Sequence, residues 1–288
     1  MDQGHQKSSI DYKKKILVTG GTGFLGSYLL RFLLQEGYQN IWALHRPTSD
    51  FSWIADIKSR IHWIECDILD ILGLEDALDG VVEIYHSAAF ISFLRSERKK
   101  MLQINVEGTA NLVDIALFKG VKRLLNVSSV AALGRSKPIE TLNEKNQWER
   151  SPFNTYYGLS KYLAEQEAWR GFAEGLEVVV VNPSMILGSH YWDYGTANFF
   201  SMIDKGLKFY PMGGNGFVDV RDVVRLMHKL MESGISGERY IANQETLAYQ
   251  ELFQRIAHQL NTNAPRIKVN AFLRELALYP CRAPSQLS

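Results

Sequence analysis

The sequence predicts an α/β fold, a doubly wound parallel sheet followed by a smaller C-terminal region. Three observations lead there. Short, nearly all-apolar segments alternate with helical stretches over the first two-thirds of the chain, the pattern of strands buried on both faces. A glycine-rich turn follows the first of those strands and opens the first helix. After Pro183 the alternation gives way to a stretch rich in glycine and aromatics.

Taken in order, Lys15–Thr19 (KILVT) reads as a strand. Phe24–Glu36 reads as a helix with Leu25, Leu29, Phe32 and Leu33 at helical spacing, ended by Gly37. Ile41–Leu44 and Ile61–Cys66 read as the next strands, Leu74–Leu78 as a short helix and Val81–His86 as a fourth strand. A long helix is predicted over 97–118, then a strand at Leu124–Val127, a helix at Tyr157–Phe172 and a strand at Glu177–Val181. The stretch 188–216 reads as loop-rich, with one modest helix near Ala197–Lys205. Phe217–Val220 and Arg239–Ala242 read as strands, Asp222–Glu232 and Leu247–Leu260 as helices. These assignments divide the chain into a dinucleotide-binding part, 12–187 with 217–243, and a substrate-binding region, 188–216 with 244–288. A last helical run, Ala271–Leu278, stops before Pro280. The tail beyond it reads either as a terminus without fixed structure or as a chain that ends early relative to its fold.

The 288 residues carry a formal charge of +1, with 46% hydrophobic and 22% charged residues. That balance gives no electrostatic reason to expect nucleic acid or an anionic membrane as partner. Cys66 and Cys281 are too few and too far apart for a disulfide framework, and they lack metal-ligand spacing. No apolar run approaches the ~20 residues a bilayer crossing needs, and the polar N-terminus lacks the apolar core of a secretory signal. The expected location is the cytoplasm.

The glycines at 20, 23 and 26 in Thr19-Gly20-Gly21-Thr22-Gly23-Phe24-Leu25-Gly26 suit three needs. One makes a tight turn, one lets backbone approach a pyrophosphate, and one lets helix and strand pack closely. The helix N-terminus then offers N–H groups and positive dipole to phosphate. Strand, turn and helix in this order predict a Rossmann dinucleotide site rather than a merely structural turn. Residues 20 and 22–26 would line it. About 20 residues on, an Asp or Glu would hold the ribose 2′-hydroxyl of NAD. This chain has His45-Arg46-Pro47 instead, and an Arg forks onto phosphate. The expected cofactor is therefore NADP(H), with NAD(H) as the alternative if Arg46 is only a solvated residue against the adenine.

Tyr157 and Lys161 lie one helical turn apart, so both side chains share a face. A phenol ordinarily titrates near 10, and a nearby ammonium lowers that value, so Tyr157 could exchange a proton with a carbonyl oxygen as hydride is transferred. Ser128 and Ser129 follow the fifth strand, where a hydroxyl could bond the same oxygen. Tyr156 is excluded because position 160 is Ser, not Lys.

These residues resemble the extended short-chain dehydrogenase/reductase superfamily over about residues 14–260. It includes sugar-nucleotide epimerases, dihydroflavonol-4-reductase-like reductases and 3β-hydroxysteroid dehydrogenases. The motifs are TGGTGFLG (19–26), CDILD (66–70), HSAA (86–89), NVEGTANL (105–112), NVSSVAALG (126–134), YYGLSK (156–161), NPSMILG (182–188) and FVDVRDV (217–223). The resemblance implies that Asp67 and Ile68 flank the adenine and that Ala88 and Ala89 line the ribose–phosphate path. Asn105 would brace the active-site strand or a proton-relay water. Ser129, Tyr157 and Lys161 would be catalytic, Ser129 rather than Ser128 because it stands five before Gly134. Pro183 and Ser184 would pass near the nicotinamide. Plainer roles stand beside these: Asp67 could cap a turn, Asn105 could start a helix, and His86 could be a packed strand-end residue. The resemblance also implies a homodimer built on two helices per subunit.

Asn182 before Pro183, where epimerases more often carry Arg, points to the reductase branch. The leading expectation is an NADP(H)-dependent reductase of a small carbonyl or hydroxyl substrate. A nucleotide-sugar epimerase or dehydratase with tightly held NAD is the alternative. A non-catalytic NADP(H) sensor is disfavoured because Ser129, Tyr157 and Lys161 are all present. Substrate contacts are expected from loops 90–97, 131–155 and 188–216.

Overall fold

A computed structural model describes residues 10–137, 141–189, 191–192 and 195–269. The predicted helix at Ala271–Leu278 and the tail lie outside the described residues. Two compact units are present. Among the described residues, one comprises 10–184 with Val220–Ala242, the other Met185–Asp219 with 243–269.

The first unit is built on seven strands: β1 (Ile16–Thr19), β2 (Ile41–His45), β3 (His62–Glu65), β4 (Glu83–His86), β5 (Arg123–Val127), β6 (Glu177–Pro183) and β10 (Glu238–Ala242). They lie in the order β10-β6-β5-β4-β1-β2-β3, and every pair is parallel. Read from the β3 edge this is 3-2-1-4-5-6, the order of a doubly wound dinucleotide fold, extended by β10. The reversal of direction between β1 and β4 leaves a crevice at their carboxyl ends, where such folds bind ligands.

Burial explains why these segments are strands. Residues 16–18 of β1, Ile84 and Tyr85 of β4 and Val178–Val181 of β6 are completely buried, as a sheet covered on both faces demands. β-Branched and aliphatic side chains fit that pleated interior, each contributing roughly 1.5–3 kcal/mol on full burial. The helices are α1 (Phe24–Glu36), α2 (Ile71–Ala77), α3 (Arg98–Leu102), α4 (Gly108–Phe118), α5 (Tyr156–Ala173) and α7 (Val220–Glu232). Asp70 caps α2 by accepting from the Gly73 N–H, and Thr155 caps α5 by accepting from the Gly158 N–H. Between α3 and α4 the helix widens into one π-turn, Gln103–Glu107. The predicted long helix is thus continuous but carries a bulge that periodicity does not announce.

The second unit holds β7 (Met185–Leu187), α6 (Asn198–Asp204), β8 (Phe209–Tyr210), β9 (Gly214–Asp219), β11 (Glu245–Ala248), α8 (Tyr249–Gln259) and β12 (Ile267–Lys268). β9 pairs antiparallel with β11 and parallel with β7, while β8 pairs with β12. Ile203, Phe217, Leu247, Leu252, Phe253 and Ile256 form its core. Three expectations change here. Val220 begins α7 instead of ending a strand. Leu247 belongs to β11, not to α8. Phe209–Tyr210 forms a strand within the stretch 188–216 that was expected to be loop-rich with one helix. The strands β8 and β11 are short elements defined by partners distant in sequence, β12 and β9, and such pairing overrides local pattern. Among the described residues no helix is long and apolar enough to cross a membrane.

Candidate active site

The glycine turn sits at the crevice between β1 and β4. Gly20 adopts φ +73°, a left-handed conformation that side chains resist. A Cβ there would stand 2.8 Å from the Ala88 nitrogen. Gly23 caps α1, its N–H bonding the Gly20 carbonyl at 3.0 Å, and Ser27 N–H returns to Gly23 O at 2.9 Å. A Cβ on Gly26 would lie 2.1 Å from Gly20 O. Thr22, Phe24 and Leu25 complete the turn and first helical residues, with no acidic side chain in the first turn of α1. The result is a side-chain-free cradle at a helix N-terminus, which fits a pyrophosphate in both shape and charge.

Arg46 is exposed, immediately after β2. Its N–H donates to Ser49 Oγ at 2.9 Å, and its carbonyl accepts from the Ser49 N–H at 2.9 Å. The backbone is thereby fixed while the guanidinium forms no ion pair among the described residues. Asp67 follows β3 and is exposed; its Oδ1 accepts from the Leu69 N–H at 2.9 Å, so the carboxylate caps the 67–70 turn. Ile68 is buried against Gly108 at the start of α4. Ala88 and Ala89 follow β4, and the Ala88 N–H donates to Thr19 Oγ1 at 3.1 Å.

A hydrogen-bond chain runs under this crevice. Thr109 Oγ1 donates to Asn105 O at 2.6 Å and lies 3.0 Å from His86 Nε2; His86 Nδ1 lies 2.7 Å from Thr19 Oγ1. Since the Thr109 proton is committed to Asn105, Nε2 must be the protonated nitrogen, and Nδ1 accepts from Thr19. Burial, reinforced by Lys161, depresses the His86 pKa to about 3, so the ring is neutral. His86 is therefore a satisfied structural link, in agreement with its plainer role.

Asn105 occupies the π-turn and is buried. Its Oδ1 accepts from the Phe90 N–H at 2.7 Å, and Nδ2 donates to Phe90 O and to Ser160 Oγ, both at 3.0 Å. Ser160 Oγ in turn donates to the Tyr157 carbonyl at 2.8 Å. The bulge thus aims Asn105 at the loop after β4 and at α5 together.

Ser129, Tyr157 and Lys161 converge at the carboxyl end of β5. Ser128 is buried, whereas Ser129 is partly exposed and its Oγ accepts from the Ala131 N–H at 3.1 Å. Gly158 lets α5 approach this segment: a Cβ there would be 2.8 Å from Ala131 O. Lys161 is 5% exposed, and its Nζ donates to Val127 O at 2.8 Å. Burial lowers its pKa to about 8, with Glu165 opposing. Tyr157 departs from the expected depression. Burial raises its pKa, the neighbouring Ser129 hydroxyl works in the opposite direction, and Lys161 has no part in the shift. The physical reason is that the Lys161 ammonium is turned to the Val127 carbonyl. The phenol is therefore protonated at neutral pH, poised as an acid. Pro183 ends β6, and Ser184 N–H bonds Ala242 O at 2.9 Å, fixing the chain where β6 leaves the sheet.

Lys161 carries a prediction about stability. Its folded value of about 8 lies below the free-lysine 10.5. Below pH 8 both states are charged and the burial cost is complete; between 8 and 10.5 the unfolded chain holds the proton longer, so stability rises with pH. At ~1.4 kcal/mol per pH unit the cost has an upper bound of about 3–4 kcal/mol. Lys161→Met is expected to raise the urea midpoint of the cofactor-free protein at pH 7, with the advantage shrinking towards pH 10. An unchanged or lower midpoint at pH 7 would show that the Lys161–Val127 bond outweighs the desolvation.

Sequence reasoning missed Thr19, Thr109, Glu165 and Arg239. Only Glu165 had a local signal, since it stands one turn beyond Lys161 on the face that carries Tyr157.

The model of the "NAD dependent epimerase/dehydratase family" matches residues 16–242. Sterol demethylase protein B of Methylococcus capsulatus is 32% identical over 259 residues, covering 88% of this chain and 76% of that protein. Cinnamoyl-CoA reductase 1 of Petunia hybrida is 27% identical over 246 residues, covering 81% and 73%. The crystal structure of gox2253 superposes with a TM-score of 0.81 at 33% identity, covering 93% of this chain and 80% of that one.

Proposed function

Because the chain belongs to the NAD-dependent epimerase/dehydratase family, an enzyme family with reductases among its members, we propose that it is an NADP(H)-dependent reductase of a small carbonyl or hydroxyl substrate. The observation that carries this reading is the meeting of Ser129, Tyr157 and Lys161 beside a glycine cradle on one sheet edge. In this reading Gly20, Thr22, Gly23, Phe24, Leu25 and Gly26 hold the pyrophosphate. Asp67, Ile68, Ala88 and Ala89 border the adenosine half, and Pro183 and Ser184 the nicotinamide half. Arg46 receives the 2′-phosphate. The bound dinucleotide supplies or accepts the hydride. Ser129 orients the substrate oxygen, and Tyr157, held protonated by burial, gives it a proton. Lys161 binds the nicotinamide ribose. Asn105 keeps the loop at Phe90 and helix α5 in register. Phe93 is exposed with its ring 6.2 Å from that of Tyr157, which favours a substrate with an apolar face over a nucleotide sugar.

The test is a fluorescence titration of nucleotide-free protein with NADPH and NADH, followed by turnover of a panel of apolar ketones and aldehydes. NADPH is expected to bind at least tenfold more tightly, the size of one charge-assisted contact of about 1.5–3 kcal/mol. Arg46→Asp is expected to reverse the order. Tight NADH with weak NADPH, or NAD that resists removal, would replace this reading with the epimerase or dehydratase one. Cofactor binding with no turnover, unaltered by substitution of Tyr157, would indicate a sensor.

A further inference from the structure

Glu165 is a carboxylate on α5 with 1% of its surface exposed, and donors from three other positions converge on it. Asn182 Nδ2 on β6 donates to Oε2 at 2.8 Å. Arg239 Nη1 on β10 donates to Oε1 at 3.1 Å, and Trp169 Nε1 to the same oxygen at 3.2 Å. Two of these donors reach further. Asn182 Nδ2 also donates to Ser129 O at 3.0 Å. Arg239 donates through Nε to Glu144 O at 2.8 Å and through Nη2 to Asn146 O at 2.6 Å, while the Ile241 N–H donates to Glu144 Oε1 at 3.0 Å. The same loop is clamped to α5 by Trp148, whose ring stacks on Tyr162 at 4.9 Å.

A buried carboxylate without partners is costly, and the three donors remove that cost. They also make the position of each donor depend on the others. We propose that Glu165 is a positioning residue, whose carboxylate locks the Ser129 backbone, through Asn182, and loop 143–149, through Arg239, to the helix bearing Tyr157 and Lys161. The inference rests on the reductase reading for its kinetic consequence but not for its structural one. Loop 143–149 faces the segment after Ser129: Asn146, Gln147 and Glu149 line a cavity of ≈ 120 Å³ with Leu133, Gly134 and Arg135. The Asn182 arm thus acts on the reacting groups and the Arg239 arm on a wall beside them.

Substituting Glu165→Gln preserves volume but turns one acceptor into an N–H that confronts either Asn182 or Arg239. Hydrogen exchange of the full-length protein is expected to show amides 143–149 opening at least tenfold faster, and kcat is expected to fall at least tenfold with the NADPH Kd within twofold. The arms separate in two further variants. Arg239→Met should accelerate exchange in 143–149 and raise substrate KM with a smaller change in kcat. Asn182→Ala should lower kcat and leave exchange in 143–149 unchanged. A folded Glu165→Gln protein with wild-type exchange and wild-type kcat would overturn the proposal. So would equal losses of kcat and of NADPH binding in all three variants, which would indicate general loosening. Exchange needs no substrate, so faster opening of 143–149 in a protein that fails to reduce any carbonyl compound would fault the reductase reading and not the role of Glu165.

Discussion

Replacing Tyr157 by Phe is expected to lower kcat for carbonyl reduction by about 10²–10⁴-fold, the range for removal of a general acid, while the NADPH Kd stays within twofold. The phenol is protonated at neutral pH, as an ordinary tyrosine is, and burial moves its pKa further up. Phe keeps the ring and its contact with Phe93 and removes only the hydroxyl. On the proposed mechanism, what is lost is the proton delivered to the substrate oxygen as charge develops there. Tyr156→Phe provides the comparison. Tyr156 is 45% exposed and packs under the Arg98 guanidinium at 3.5 Å. It should retain near wild-type turnover, measured by oxidation of NADPH against the ketone and aldehyde panel. Equal activity of Tyr157→Phe and wild type would remove Tyr157 from the chemistry.

The second large effect is expected at Gly26. An added methyl would sit 2.1 Å from Gly20 O and 2.9 Å from Gly21 Cα, both backbone atoms. No rotamer change can relieve such a contact, so the β1–α1 turn itself must open. Overpacking in a fixed site costs about 1–3 kcal/mol and more where backbone must move. Gly26→Ala should therefore lose at least that much by urea denaturation, together with most NADPH affinity. Gly23→Ala should behave differently. Its Cβ meets only Gly20 O, at 3.2 Å, a much looser contact than at Gly26, so the stability loss should be clearly smaller. The methyl would instead stand where the pyrophosphate must approach, and affinity should fall. Similar stability losses in both variants would show that the glycines serve the turn alone.

Much of the site was legible because its chemistry is local. The glycines at 20, 23 and 26 and the Tyr157–Lys161 pair depend on spacing within a single turn or helix. The parallel sheet follows from the alternation of all-apolar strands with helices, while its strand order is a finding of the structure. The plainer readings of His86 and Asp67 match the contacts these side chains make: His86 links Thr19 to Thr109, and Asp67 caps its turn.

What stayed hidden depends on partners far apart in sequence. The π-turn at Asn105 is invisible to periodicity because it shifts the helix by one residue. β7, β8, β11 and β12 have 2–4 residues each and exist through pairing, not propensity. Tyr157 and Lys161 share a helix face as their spacing requires, but sheet and loop decide where the ammonium points and which way burial moves the phenol. Glu165 reads locally as one more acid on a helix. Its burial beneath Asn182 and Arg239 is set by β6 and β10, 17 and 74 residues away. The sequence by itself determined the parallel sheet, the glycine-rich turn and the Tyr157–Lys161 spacing, because these rest on steric and hydrogen-bonding rules spanning a few residues. Only the tertiary structure decided protonation, tautomer and positioning, because desolvation and buried charge depend on everything packed around a group, whatever its place in the chain.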